Sequence, residues 1–550
     1  MGNYRNFIEQ IIEEDLNNGF ERNKLCFRFP PEPNGYLHIG HVKAITLNFE
    51  LGKKYNAPVN LRFDDTNPVM ENEHFVEEIK NNIKWLGYKW SKECYASDYF
   101  EQLYKWAHFL ILNDKAYVDS QTSEKIALQK GTPTNVGTNS PFRNRPKEES
   151  IRLFTEMREG RHKEGSHVLR AKIKMDSHNM LMRDPVMYRI LFKEHHRTGN
   201  NWCIYPMYDW AHGESDFIEK ISHSLCTLEF KPHRDLYEWF LQQLPKENKF
   251  LPKQREFARL NMTYTVMSKR KLFHLIEKKT VSSWDDPRMP TISGMINRGY
   301  PAKALINFVK TAGIAKRENT IDVSLLEFYV REELNKICPR VMVVTDEIKL
   351  VITNYPEGKQ EKLDAMNNPE DESQGKRQMV FSKYLYIERE DFRESANRKF
   401  FRLTIGKEVR LKNAYIIKGE KCIKNNIGEV VEIHCTYDPK SKSGSNSEQS
   451  KRKVKGTIHW VDIKSSIDVT INEYDRLFIS EKPEENEDLI KGVNTSSKKI
   501  IVGKSEKYIS SLAKGQKVQF QRKGYYIVDN IKNGNIIFNK TVSLRDSWRK

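Results

Sequence analysis

Along the first hundred residues the apolar positions switch between a period of two and a period near 3.6. Leu25, Phe27 and Phe29 alternate in KLCFRF (24–29), which predicts a strand. Pro30, Pro31, Pro33, Asn34 and Gly35 break any regular element, and from His38-Ile39-Gly40-His41 onward Val42, Ile45 and Phe49 recur at helical spacing. Val59, Leu61 and Phe63 alternate again up to Asp64-Asp65, and Phe75, Val76, Ile79, Ile83 and Leu86 predict a second helix. The order βαβα predicts a parallel sheet whose ligand sits beyond the carboxyl ends of its strands, the edge where His38, His41 and Asp64 fall. From about residue 340 the period turns to alternation. Val431, Ile433, Cys435 and Tyr437 point one way and Glu432, His434 and Thr436 the other, with a partner strand expected to begin over Thr457 to Val461. β-barrels are expected here, with DPKSKSGSNSEQSKRKVKG (438–456) as a flexible basic hairpin tip.

Composition narrows the partners. At 550 residues the chain has room for roughly three to four domains. Lys and Arg (92) exceed Asp and Glu (74) by 18, a balance suited to a polyanion or simply to a well-solvated surface. No apolar run approaches the roughly 18 residues of a spanning helix, so no membrane partner is expected. The opening MGNYRNFIEQIIEEDL carries neither a secretory nor a myristoylation pattern, and the cytoplasm is the expected location. Seven cysteines without a C-x-x-C pair are expected as reduced thiols, with no metal site among the candidate residues.

Two segments carry candidate chemistry. A helix opening at His38-Ile39-Gly40-His41 offers free N–H groups and a partial positive charge to phosphate, and Gly40 lets a nucleotide approach the backbone. The competing reading is a pair of capping histidines. At Asn261 to Leu272 (NMTYTVMSKRKL), Val266-Met267-Ser268-Lys269-Arg270 sets two cations before a lysine-rich helix, where they could stabilise a departing pyrophosphate or merely face solvent.

PPEPNGYLHIGHVKAITLNF and TYTVMSKRKL resemble the two signature motifs of class I aminoacyl-tRNA synthetases, and the wording around them is similar to the glutaminyl-tRNA synthetase family. LRFDDTNP, RDPVMYRI, WCIYPMYDWAH, ISHSLCTLEF, WDDPRMPTISG, GKEVRLKNAY and NKTVSLRDSW continue that likeness in order. The resemblance implies a Rossmann-like α/β nucleotide-binding catalytic domain in two halves (1–97 and 209–260). It also implies an inserted acceptor-stem domain (98–208), a signature loop with a helical connecting region (261–339) and two anticodon-binding β-barrels (340–550). It implies a monomer that activates L-glutamine with ATP and Mg2+ to an adenylate and transfers it to the terminal adenosine of tRNA(Gln). By motif, His38, His41 and Lys269 would be catalytic; Glu32, Pro33, Asn34, Gly40, Arg259, Met267 and Ser268 would join them around ATP. Arg28, Asp64, Tyr208, His212, Cys226 and Gln254 would line the glutamine pocket, and Arg340, Arg402, Arg410, Gln519 and Arg522 would meet the anticodon bases.

Asp64 suits the substrate ammonium. Relatives that activate glutamate carry Arg where this chain has Cys226, so a neutral amide is the expected substrate; a glutamate-specific enzyme and a catalytically silent RNA-binding relative are the rivals. Two departures stand out. Pro232 occupies a place where bacterial members often have an Asp that reads an acceptor-stem base pair, and HGESD (212–216) adds a Glu214 to the commoner HCISD.

Overall fold

The structure, a computed structural model, describes residues 5–245 and 250–545; the end of the NKTVSLRDSW motif (546–548) lies outside the described residues. The chain forms two compact units: one of residues 1–261 with 309–321, the other of 262–308 with 322–550. The stretch 261–339, expected as one connecting region, therefore divides between them.

In the first unit β1 (Phe27–Phe29), β2 (Val59–Phe63) and β3 (Glu93–Tyr95) form a parallel sheet, with Phe27 beside Val59 and Leu61 beside Glu93. A second parallel pair, β4 (His223–Thr227) and β5 (Lys253–Phe257), adjoins β1 through the Cys26 carbonyl, which accepts from the Ser222 N–H. Helix α1 (Ile39–Tyr55) links β1 to β2, and α2 (Glu73–Trp85) follows β2. A Cβ on Gly52 would meet Val59 Cγ2 at 2.3 Å, so glycine is what lets α1 lie this close to β2. Every residue of β1 and β2 is buried, not only the alternate apolar ones. Parallel sheets are covered on both faces, so Arg28 and Arg62, on the side that alternation marks as polar, lie inside the protein.

Between β3 and α3 (Tyr208–Ile218) the chain builds a four-stranded antiparallel sheet, Ala116–Asp119, Val168–Ala171, Val186–Ile190 and Ile204–Pro206. Helices Phe100–Leu112 and Lys147–Arg158 share its core through Leu103, Phe154 and Tyr188.

The second unit holds α4 (Lys269–Glu277), whose Leu272 and Leu275 pack with Val266, Leu477 and Phe478. Beyond it stand two barrel-like sheets of seven strands each. In the first sheet Thr457–Ile458 pairs with Glu408–Leu411, and Trp460–Asp462 with Tyr384–Glu388; neither pairs with Val430–Tyr437, against the expectation of a partner strand there. Residues 438–456 are consequently not a hairpin tip. They cross to another strand through a 3-10 turn, Pro439–Ser441, and a short helix, Glu448–Lys451, pinned by Arg410, which donates to the carbonyls of Ser441 (3.0 Å) and Ser450 (2.8 Å). Alternation along Val430–Tyr437 holds for Ile433 and Cys435, while Val431 at its start is exposed.

Glu214, on α3, is fully buried, and neither carboxylate oxygen meets a hydrogen-bond partner among the described residues. Burial, with the Asp216 carboxylate nearby, raises its pKa well above the ordinary value. The folded state thus holds a proton that the unfolded chain releases above about pH 4.3, so the residue costs stability increasingly as pH rises. Glu214→Gln should raise the thermal midpoint at pH 7.5 by about 2 °C or more and flatten its fall between pH 5 and 8; a lowered midpoint in differential scanning calorimetry would contradict this.

Candidate active site

The ligand edge of the first unit begins at α1. His38 is its N-cap: Nδ1 accepts the Gly40 N–H at 3.1 Å, and the His38 N–H donates to His41 Nδ1 at 3.0 Å. The two rings lie 4.0 Å apart. A neutral imidazole that accepts at Nδ1 carries its proton on Nε2. Capping and phosphate binding are therefore compatible, because the cap itself makes each ring an Nε2–H donor beside a helix N-terminus. The preceding turn is tied to the end of β2, with Asp64 N–H donating to the Pro31 carbonyl and Asn72 N–H to the Pro33 carbonyl, both at 3.1 Å. Glu32, Pro33 and Asn34 are held at this edge. Inside α1, Lys43 donates to the Ala258 carbonyl at 2.7 Å, and burial brings its pKa down to about 8. Arg259, the next residue along, is half-exposed and paired with Glu229 (2.7 Å) and Glu318 (3.5 Å).

Beside the turn, Arg28, Arg62, Asp64 and Asp216 share one buried network, which Glu219 joins at 3.5 Å from Arg62 Nη1. Asp216 accepts from Arg28 Nε (3.0 Å), Arg62 Nη1 (2.6 Å) and the Tyr237 hydroxyl (3.0 Å). Arg62 Nε donates to Asp64 Oδ1 at 2.7 Å. Arg28 also donates to the Leu225 carbonyl (2.9 Å) and Ser224 Oγ (2.6 Å). His212 presents Nδ1 to Arg62 and Nε2 to Arg28, each at 3.2 Å, and stacks on Tyr208 at 4.9 Å. Burial alone would raise the Asp64 pKa, but the Arg62 charge and His212 outweigh it and hold the carboxyl below its ordinary value. Asp216 is driven down the same way by Arg28 and Arg62 against its own burial. Asp64 Oδ2, buried, accepts no hydrogen bond from the described residues. Cys226 lies on β4 with its thiol pushed up to about 12 by burial, so it is neutral at pH 7. Gln254, on β5, donates to the Phe230 carbonyl (3.0 Å) and Glu256 (2.9 Å). Tyr208, next to Asp64, is raised well above the usual phenol value, first by burial.

Asp65, His195 and His196 each bring a potential metal-ligand atom within 4.8 Å of the others. Both nitrogens of His195 are already used: Nδ1 accepts from the Arg197 and Thr198 N–H groups and Nε2 donates to the Asp65 carbonyl. Asp65 itself accepts from the Ser97 N–H and hydroxyl. This cluster ties the end of β2 to the 195–199 turn. All seven cysteines are free.

The second unit contains the other candidates. Ser268 is the N-cap of α4, and Lys269, Arg270 and Lys271 fill its first turn. Cations there oppose the helix dipole, a cost that an anionic ligand would relieve. Glu484 holds the loop, accepting the Met267 N–H at 3.0 Å while its carbonyl accepts from Lys271 at 2.8 Å. Arg340 and Gln519 are register partners on adjacent strands. Arg340 donates to Asn335 (2.7 Å) and Gln519 to the Tyr525 hydroxyl (2.9 Å), which in turn donates to Asn335 (3.2 Å). Arg402 and Arg522 both approach Asp391. Arg410 is separate from these, bound to the 438–456 crossing.

The family model for the catalytic domain of class I tRNA synthetases (E and Q) matches residues 24–336. The chain belongs to the class I tRNA synthetases of the E and Q group. Two further models of that group, each described as an anti-codon binding domain, match 338–438 and 457–529. Curated relatives named Glutamine--tRNA ligase align nearly end to end. The one from Rhodopirellula baltica is 51% identical over 99% of this chain and 90% of its own length. Those from Clostridium kluyveri (49%, 100% and 98%) and Clostridium perfringens (50%, 99% and 98%) are comparable.

In this synthetase the residues that motif reading overlooked are Arg62, Asp216 and Asp391. Asp216 follows His212 by one helical turn, a spacing that could have flagged it; the other two needed the fold. Asp216→Asn should destabilise the first unit by about 3–5 kcal/mol, because the buried Arg28 guanidinium loses its carboxylate partner and Arg62 loses one of its own. Urea unfolding followed by tryptophan fluorescence measures this, and wild-type stability would contradict it.

Proposed function

We propose that this chain charges tRNA(Gln) with L-glutamine, first forming glutaminyl-adenylate from ATP with release of pyrophosphate, then esterifying the terminal adenosine of the tRNA with release of AMP. The observation that carries the reading is the pocket around Asp64. Its carboxylate is held ionised by Arg62, and its buried Oδ2, 3.7 Å from His212 Nδ1, accepts no hydrogen bond among the described residues, which suits it to an ammonium donor. Arg28, in the same buried network, is paired with Asp216. Cys226 presents a neutral thiol, not a cation, to the substrate side chain, which favours the amide of glutamine. The names of the relatives support the same substrate.

ATP arrives with magnesium on its phosphates. His38 and His41 donate through Nε2–H to those phosphates at the start of α1, with Glu32, Pro33, Asn34, Gly40 and Arg259 around the nucleotide. Met267 and Ser268 present Lys269, whose ammonium neutralises charge as pyrophosphate leaves. Tyr208, His212 and Gln254 complete the amino-acid pocket. Residues 98–208 grip the acceptor stem. Pro232 brings no carboxylate there, but Asn179 donates both to its carbonyl (2.8 Å) and to Asp235 (3.0 Å), which supplies an acid one helical turn on. The barrels read the anticodon through Arg340, Arg402, Arg410, Gln519 and Arg522. The enzyme works as a cytoplasmic monomer; among the described residues no helix is long and apolar enough to cross a membrane.

A charging assay with purified tRNAs tests the reading. Glutamine should be esterified to tRNA(Gln) at least 100-fold faster than glutamate. Lys269→Ala should lower the rate by about 100-fold or more, the scale of one lost transition-state contact, while tRNA affinity stays within twofold. Preferential charging with glutamate, or full turnover without Lys269, would overturn it.

A further inference from the structure

Arg402 and Arg522 come from the two different anti-codon domain matches yet converge on one carboxylate. Asp391 is fully buried. Arg522 Nη1 donates to its Oδ2 at 2.5 Å and Nη2 to its Oδ1 at 2.6 Å, a bidentate pair, while Arg402 Nε lies 3.3 Å from Oδ1. Arg402 Nη1 also donates to the Glu390 carbonyl at 2.9 Å. The Arg522 end is over-determined. Nη1 gives a second proton to His459 Nδ1 (3.2 Å), whose Nε2 donates to the Val343 carbonyl (3.0 Å) and is thereby fixed as the protonated nitrogen. The turn around Arg522 puts that residue at φ 66°, a left-handed conformation rare for a long side chain. The next residue, Lys523, is anchored to Glu388 at 3.0 Å.

We propose that Asp391 is a positioning residue for anticodon specificity: it holds Arg402 of one barrel and Arg522 of the other at a fixed separation and orientation, so that their remaining donors face the bases. The inference rests on the reading of these two arginines given above. Its physical basis is the difference between fixed and mobile donors. A guanidinium has five N–H groups in one plane; the bonds to Asp391 and His459 use three of those on Arg522 and set the plane. The two side chains remain 36% and 30% exposed, so the other donors can reach a partner. Without Asp391 the two guanidinium groups lose their shared anchor, Arg402 keeping its contact with Glu390 at 3.5 Å, and a splayed arginine still attracts RNA by charge but no longer selects a base edge. Specificity should therefore suffer more than affinity.

The test measures kcat/KM for charging of tRNA(Gln) transcripts with the native anticodon and with each anticodon base substituted singly. Four variants are compared: Asp391→Asn, which keeps the shape and loses the charge; Asp391→Glu, which keeps the charge and moves it; Arg402→Ala; and Arg522→Ala. Both Asp391 variants should lose at least tenfold in the ratio of native to substituted transcripts, with KM for ATP and for glutamine within twofold of wild type, a pattern that general destabilisation does not produce. If Arg402→Ala and Arg522→Ala lose discrimination while both Asp391 variants keep it within twofold, Asp391 does not position them and the proposal fails. If the two arginine variants themselves discriminate like wild type, the assignment of those arginines to the anticodon fails, and the proposal with it.

Discussion

Two guanidinium groups and two carboxylates buried together, Arg28 and Arg62 against Asp64 and Asp216, are the constraint on which the first unit depends. Isolated, any of the four would be prohibitive inside a protein; paired, they are tolerated because each charge is matched and most lone pairs are filled. The arrangement also places the proposed amino-acid pocket. β1 and β2 supply the arginines from adjacent parallel strands, α3 supplies Asp216 and His212 from one face, and Asp64 stands at the strand end where the sheet opens. The arginines are paired without a substrate, whereas hydrogen bonding is incomplete: among the described residues Asp64 Oδ2 accepts no hydrogen bond. A site built this way recognises a donor without requiring a net change in the protein's own ionisation.

The same economy recurs at the other chemical elements. At α1 the histidines cap the helix with Nδ1 and are thereby committed to the Nε2–H form, so one hydrogen-bond arrangement serves stability and ligand binding together. At α4 the sequence does the opposite and places three cations where a helix end disfavours them, a local conflict of the kind that marks function. Between the barrels a buried carboxylate gathers arginines that sequence separates by 120 positions.

Much of this was legible beforehand, for identifiable reasons. The βαβα order, the position of His38, His41 and Asp64 at the carboxyl ends of the strands, and the change to alternating strands after residue 340 all follow from periodicity, which local burial controls directly. What periodicity missed was the interior of the parallel sheet. In FRF and VNLRF the arginines read as an outward face, and only the covering of both faces shows them to be buried. Strand partners in the first barrel also escaped, because Thr457–Ile458 lies next to Glu408–Leu411 in space and next to Val430–Tyr437 only in sequence. Glu214, unexplained as a motif departure, proves to be a carboxyl buried without a hydrogen-bond partner among the described residues, a fact no sequence pattern carries.

The central claim is that Asp64 Oδ2, which accepts no hydrogen bond among the described residues, receives the substrate's ammonium. A crystal structure with a non-hydrolysable glutaminyl-adenylate analogue addresses it most directly. The α-ammonium should lie within hydrogen-bond distance of Asp64 Oδ2, with Arg28 still bound to Asp216. An ammonium placed elsewhere, or an Arg28 released from Asp216 to meet the ligand, would contradict the account.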